Sequence, residues 1–417
     1  MWRWTAAALA FCALGAALWF ALRAWGLETA ADLAGLASLL VPVTAAIVGW
    51  AGGRRVPAPP RPVTPPPRPR ATPAPSARRT GWTRKLGGAV HAGPAVADGT
   101  VYVGCDSKVY ALDAADGRVV WTRRTAGTVR SCPAVADDLL YVGSDDGKVY
   151  ALDVATGRVV WSRTTGRPVR SGPAVAGGVV YVGGDDRRVH AFAATTGEGV
   201  WSFTTGDVVS CGPAVAGGVV YAGSHDRHVY ALDAATGAVR WISATAGAVG
   251  GGPAVADGTV YVGSHDRRVY ALDATTGAVR WSLGTGAAVE HGPRVAGGAV
   301  YAGSDDRSLY ALDAATGRSL WTYTPISRFS GGWTTPVVAG GIVHAATTGG
   351  AVYALDAATG HARWHTYTRG AAVSGPAVAD GTVYVGDGTG HVYAMEAATG
   401  RGDQENKGRE TRNNHLE

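Results

Sequence analysis

Eight tryptophans constrain what this chain can fold into more than any other feature of it. Trp82, Trp121, Trp161, Trp201, Trp241, Trp281, Trp321 and Trp364 follow one another at spacings of 39, 40, 40, 40, 40, 40 and 43 residues. Each closes a copy of one stretch, clearest from Val260 to Trp281. A fixed period near 40, built from short apolar runs and glycine turns, implies a repeat architecture in which each unit buries its apolar face against the next. One unit divides into four runs, for example GPAVADG, TVYVGS, RVYALDA and AVRWSLG. Apolar residues alternate with small or polar ones, the period-two signature of strands. The Asp-Ala-Thr-Thr-Gly link before the fourth run combines an acceptor for backbone N–H groups with a glycine free to take positive φ. Four antiparallel strands per unit make a propeller blade.

The two ends of the repeat decide the blade count. Trp82 sits in GWTRKLG, a fourth run with no first three before it, while Gly375 to Gly400 supplies three runs and no tryptophan. The N-terminal strand is therefore expected to complete the last blade and leave no open sheet edge. The fold class that follows is all-β, an eight-bladed propeller over residues 81–400. The tryptophans are expected to pack across to the neighbouring blade, each with its indole N–H on a carbonyl.

The pattern Ala-x-Asp-x-x-Thr-Gly-x-x-x-Trp, as in Ala231–Trp241 and Ala271–Trp281, resembles the tryptophan-docking motif of the quinoprotein-type (PQQ-like) repeat family. The resemblance covers Trp82 to about Gly400. It implies an eight-bladed fold and two kinds of function: quinone- and calcium-dependent alcohol dehydrogenases, and non-enzymatic, BamB-like assembly factors. The family's enzymes hold the quinone against a disulfide between adjacent cysteines. This chain has no Cys-Cys pair, and its calcium-ligand positions cannot be matched. Asp113, Asp153, Asp233, Asp273, Asp313 and Asp356 recur in one turn of six copies, with Ala193 and Glu396 in the other two. That is the pattern of a folding device, so no catalytic, metal or cofactor residue is expected and the chain reads as a non-enzyme.

Outside the repeats the chain changes character. Thr5–Leu22 and Leu33–Gly53 are uncharged runs of 18 and 21 residues, each long enough to cross a hydrocarbon core of about 30 Å. They predict a two-helix transmembrane hairpin over residues 1–53. Residues 54–80 form a Pro/Arg-rich linker with ten prolines between Val56 and Pro75, and residues 401–417 a polar tail. Seven arginines follow the second run, against Arg23 alone between the runs. The bias places both termini, and the propeller, on the cytoplasmic side, with an extracytoplasmic placement as the alternative. The net charge of +6 belongs to this region: residues 81–400 carry 25 Lys+Arg against 26 Asp+Glu. A nucleic-acid partner needs a basic patch on the folded domain, and none is expected here.

In a near-identical repeat, function belongs where the copies differ. Three residues before the proline of each first run stand His91, Arg130, Arg170, Ser210, Gly250, Glu290, Trp333 and Val373; next to them stand Ala92, Ser131, Ser171, Cys211, Gly251, His291, Thr334 and Ser374. These columns are expected to ring one mouth of the central channel. Copy seven lengthens the loop by three residues and brings in Phe329 and Trp333. His91, Arg130, Arg170, Glu290, His291, Phe329 and Trp333 are thus the candidate residues for binding a protein partner. Trp333 stands between two roles, a binding anchor or a plug at the mouth. Paired turn residues such as Asp145-Asp146 and His265-Asp266 offer too few ligands for a metal and read as solvated turns with local ion pairs.

Overall fold

Each four-run unit folds into a four-stranded antiparallel sheet, and eight such sheets follow one another around an axis. The structure is a computed structural model that describes residues 81–326, 331–372 and 375–402. The expected hairpin, the linker, Phe329 and all but the start of the tail lie outside the described residues. Among the described residues there is no helix long and apolar enough to cross a membrane.

Blades are numbered here by their innermost strands: Ala95–Ala97 opens blade 1, Ala134–Ala136 blade 2, Ala174–Ala176 blade 3 and Ala214–Ala216 blade 4. Ala254–Ala256 opens blade 5, Arg294–Ala296 blade 6, Val337–Ala339 blade 7 and Ala377–Ala379 blade 8. Each innermost strand touches the one before and the one after, and Ala377–Ala379 returns to Ala95–Ala97, so the ring is closed. Blade 8 takes its outermost strand from the other end of the chain: Trp82 pairs with Ala394 and Lys85 with His391.

The repeated residues hold blade to blade. The indole Nε1 of Trp121 donates to Val154 O (2.8 Å) and that of Trp161 to Ala194 O (2.7 Å), each in the following blade. Trp82 does the same toward Ala114 O across the closure (2.9 Å). Under each ring lies the turn glycine of the next blade. At Gly157, φ is +65° and an added Cβ would come within 2.4 Å of Trp121, so only glycine gives both the turn and the contact. A second-strand tyrosine shares the same carbonyl: Tyr141 Oη and Trp161 Nε1 both donate to Ala194 O. The repeated aspartates cap their own turns, as Asp153 accepts from Thr156 N at 2.8 Å and from its hydroxyl at 2.6 Å.

Blade 7 breaks this scheme once. Where the other blades place tyrosine it has His344, fully buried, with neither ring nitrogen hydrogen-bonded. The shorter imidazole lies against Trp364, with ring centroids 5.8 Å apart, and Ala397 O receives the indole alone. Burial lowers the imidazole pKa to about 4, whereas in an unfolded chain histidine titrates near ~6.5.

The folded form therefore holds this ring neutral while the unfolded form protonates it. Stability is full above about pH 6.5 and falls by about 1.4 kcal/mol per unit as the pH drops toward 4. Guanidinium titrations at pH 7 and pH 5 check this: His344→Tyr should flatten that slope and stabilise the protein at both values. An unchanged difference between the two pH values in the variant would remove His344 as its source.

The mouth of the central channel as candidate functional site

The loop entering each blade and the turn between its second and third strands meet at one end of the channel. Just before the mouth, the loop anchors itself with a valine. Val129, Val169, Val209, Val249 and Val289 are fully buried against a second-strand glycine of the preceding blade; a Cβ on Gly183 would stand 2.3 Å from Val209. The residue two positions after the valine turns inward as well. Ser131 Oγ donates to Gly143 O (3.0 Å) and accepts from Gly143 N (2.7 Å), and Thr334 Oγ1 donates to Ala346 O. Cys211 Sγ reaches Gly223 O in the same way. This column was expected to face the channel; its hydroxyls and thiol are latches on the blade's own backbone.

The residue between valine and latch is the one that faces out. Arg130, Arg170 and Glu290 are exposed there, with His91 half-buried. The turns complete the site, and they join it across blades. Arg130 Nε meets Asp145 Oδ2 at 2.9 Å, and Arg170 Nε meets Asp145 Oδ1 at 3.3 Å. Arg170 Nη1 also pairs with Asp185 Oδ2 at 2.9 Å. His91 lies 3.4 Å from Asp106 and 3.5 Å from Arg130 Nη1. Farther round, Ser210 Oγ and His225 Nε2 are 2.8 Å apart, and the rings of His225 and His265 are 6.2 Å apart. The first turn residues, Asp145, Asp185, His225 and His265, thus belong to the mouth. The second ones serve the fold: Asp146 accepts from Tyr150 Oη (2.7 Å) and from Ala126 N (3.0 Å).

Charge is not spread evenly around this ring. In blades 2 and 3 the carboxylates of Asp145 and Asp185 are matched by arginines. In blade 6, burial and then the neighbouring Glu290 raise the pKa of Asp305. Burial likewise raises Asp185, against the pull of Arg170, and leaves Asp185 Oδ1 without a hydrogen bond. Burial lowers His291, with Glu290 opposing.

Trp333 does not occupy the place its alignment suggested. It directly precedes the latch residue Thr334, so blade 7 lacks the outward-facing residue and Trp333 takes the buried valine position, over Gly303. Only 1 % of it is exposed. It packs against Tyr353 and Tyr323, with centroids 5.2 and 6.2 Å away, and neither a surface anchor nor a plug describes it. The cause lies eight residues earlier. Arg227 O and Arg267 O each accept from a threonine N–H, Thr245 and Thr285; the corresponding residue in copy seven is Pro325, which has no N–H. Trp333 Nε1 supplies the missing donor to Arg307 O at 2.9 Å. Proline in that threonine column was the sequence signal, and it pairs with the insertion. The other residue that column-reading passed over is Arg294, the one charged residue among the inner strands.

Among the described residues no group of three His, Cys, Asp or Glu side chains could hold a metal. The described cysteines Cys105, Cys132 and Cys211 are all unpaired.

A family model described as outer membrane protein assembly factor BamB matches residues 74–169, 145–248, 225–327 and 324–413, which together span the repeats. No curated protein matches the chain. Among solved structures, BamB from Moraxella catarrhalis superposes with a TM-score of 0.65 at 21 % identity, over 75 % of this chain and 98 % of that one. The quinohemoprotein alcohol dehydrogenase of Comamonas testosteroni gives 0.65 at 19 % identity, over 78 % and 77 %. The computationally designed Ika8 protein gives 0.67 at 18 %, over 75 % and 97 %. At these identities the likeness is one of fold.

The two tryptophan and mouth environments predict opposite costs. Trp333→Ala should destabilise the protein by about 3–5 kcal/mol, as deletion of a buried ring does. Arg130→Ala, at a half-exposed ion pair, should cost less than about 1 kcal/mol. Chemical denaturation of the two variants checks the contrast, and equal costs would contradict this assignment of core and surface.

Proposed function

This chain belongs to the family of PQQ-type repeat propellers described as outer membrane protein assembly factor BamB, and we propose that it is a non-catalytic member that binds a protein partner at the channel mouth. One observation carries the reading. The residues the repeat keeps constant are consumed inside the fold, whereas the residues that differ from blade to blade gather as a half-exposed chain, His91–Arg130–Asp145–Arg170–Asp185. Charged groups arranged this way set the register and encounter rate of a partner more than raw affinity. Glu290 and His291 extend the surface on blade 6. The 18- and 21-residue apolar runs near the N-terminus would tether the propeller to a membrane, and the proline-rich segment would set its reach.

The arginine bias after the second run supports a cytoplasmic propeller. The family's description supports the second reading, an extracytoplasmic assembly factor. Reporter fusions at Glu417 separate them: strong alkaline-phosphatase activity there would sink the cytoplasmic placement. Catalysis is tested by adding pyrroloquinoline quinone and calcium, which should yield neither a bound chromophore nor dye reduction.

The binding reading itself is tested by affinity capture with wild type and with an Arg130→Glu/Arg170→Glu double variant. The variant should remain folded and lose partners that the wild type retains. An unchanged set of captured proteins would take the mouth of blades 2 and 3 out of the account.

A further inference from the structure

Below the mouth, the channel wall is nearly without charge. The innermost strands begin with Ala95, Ala134, Ala174, Ala214, Ala254, Val337 and Ala377, and in blade 6 alone with Arg294. Arg294 is exposed, and on an innermost strand the space it is exposed to is the channel. No described carboxylate pairs with it, although other arginines of the propeller are paired, such as Arg240 with Asp233 and Arg280 with Asp273. Blade 2 stands opposite blade 6 in a ring of eight. Its loop carries Cys132, the one exposed cysteine among the described residues. Burial pushes the Cys132 thiol pKa up, while the backbone at Gly93 and the charge of Arg294 pull it back. Cys132 directly precedes the proline of its entry loop and is exposed there, on the side of the ring opposite Arg294.

We infer that the central channel is a binding site for an oxyanion, a carboxylate or a phosphate, held by Arg294. An unpaired cation between low-dielectric walls focuses its field along the channel and raises the local concentration of anions. The planar guanidinium presents parallel N–H donors that match two oxygens of a carboxylate or phosphate. The inference goes beyond the mouth reading and does not rest on it, since Arg130 and Arg170 take no part in it.

Cys132 makes the site measurable. Its modification by a negatively charged methanethiosulfonate, the sulfonatoethyl reagent, is compared with that by the positively charged trimethylammonioethyl reagent, by mass spectrometry of the Cys132 peptide in the full chain. The anionic reagent should react faster by about tenfold at low salt, and the preference should shrink as salt is raised. Arg294→Ala should abolish it; this variant restores the alanine found in six other blades, so its fold is retained. Arg294→Lys should keep most of it. Inorganic phosphate or acetate should slow the anionic reagent in wild type and not in Arg294→Ala, and the more protective anion identifies the ligand class. Equal rates, a preference that survives Arg294→Ala, no protection by either anion, or no labelling of Cys132 would each overturn the site. Arg130→Glu/Arg170→Glu should leave the protection intact, which separates failure here from failure at the mouth.

Discussion

The contact on which everything else depends is the one between each tryptophan and the turn of the next blade. A buried tryptophan removes 150–250 Å2 of surface from water, on the order of several kcal/mol per seam. Its orientation is fixed twice, by the indole N–H on a carbonyl and by a glycine with no Cβ beneath the ring. A single four-stranded sheet could not bury both faces. The seam makes each blade a condition for its neighbours, and the strand from Trp82 to Lys85 makes the last blade a condition for the first. Closure thereby converts a linear array into a ring with no free innermost strand.

The mouth is a consequence of that ring. Because each blade is turned by the same step, the loop entering one blade is carried beside the turn of the blade before it. Asp145 of blade 2 can then hold Arg170 of blade 3 as well as Arg130 of its own. The ion pairs are half-exposed and contribute little to stability. Substitution at these positions is therefore free of the folding constraint that holds the tryptophans, glycines and capping aspartates in place, and variation there can serve binding.

Much of this was readable in the chain. The period, the four strands, the eight blades and the closing strand all follow from local patterns, alternation and the stranded Trp82. What escaped depends on compensation or on ring geometry. Trp333 looked like an outlier on a loop because alignment on Pro336 hides the missing outward residue, and only a contact to Arg307 O explains it through Pro325. The turn pairs read as local because Asp145 and Arg170 lie 25 residues apart and meet only in a closed ring. His344 was legible as the one histidine in a tyrosine column, but its lack of a partner is a matter of side-chain length. Arg294 stands in a column that is otherwise alanine or valine, and its setting is supplied by a channel that exists only in the closed ring.

The central claim is that the varied mouth, not the constant frame, meets the partner. Site-specific photocrosslinking tests it most directly, with the crosslinking residue placed in turn at 130, 170 and 290 and, at the opposite end of the blades, at 115, 235 and 275 in the capped turns. The account predicts partner adducts from the first set and none from the second. Adducts confined to the second set would place recognition on the other face and contradict it.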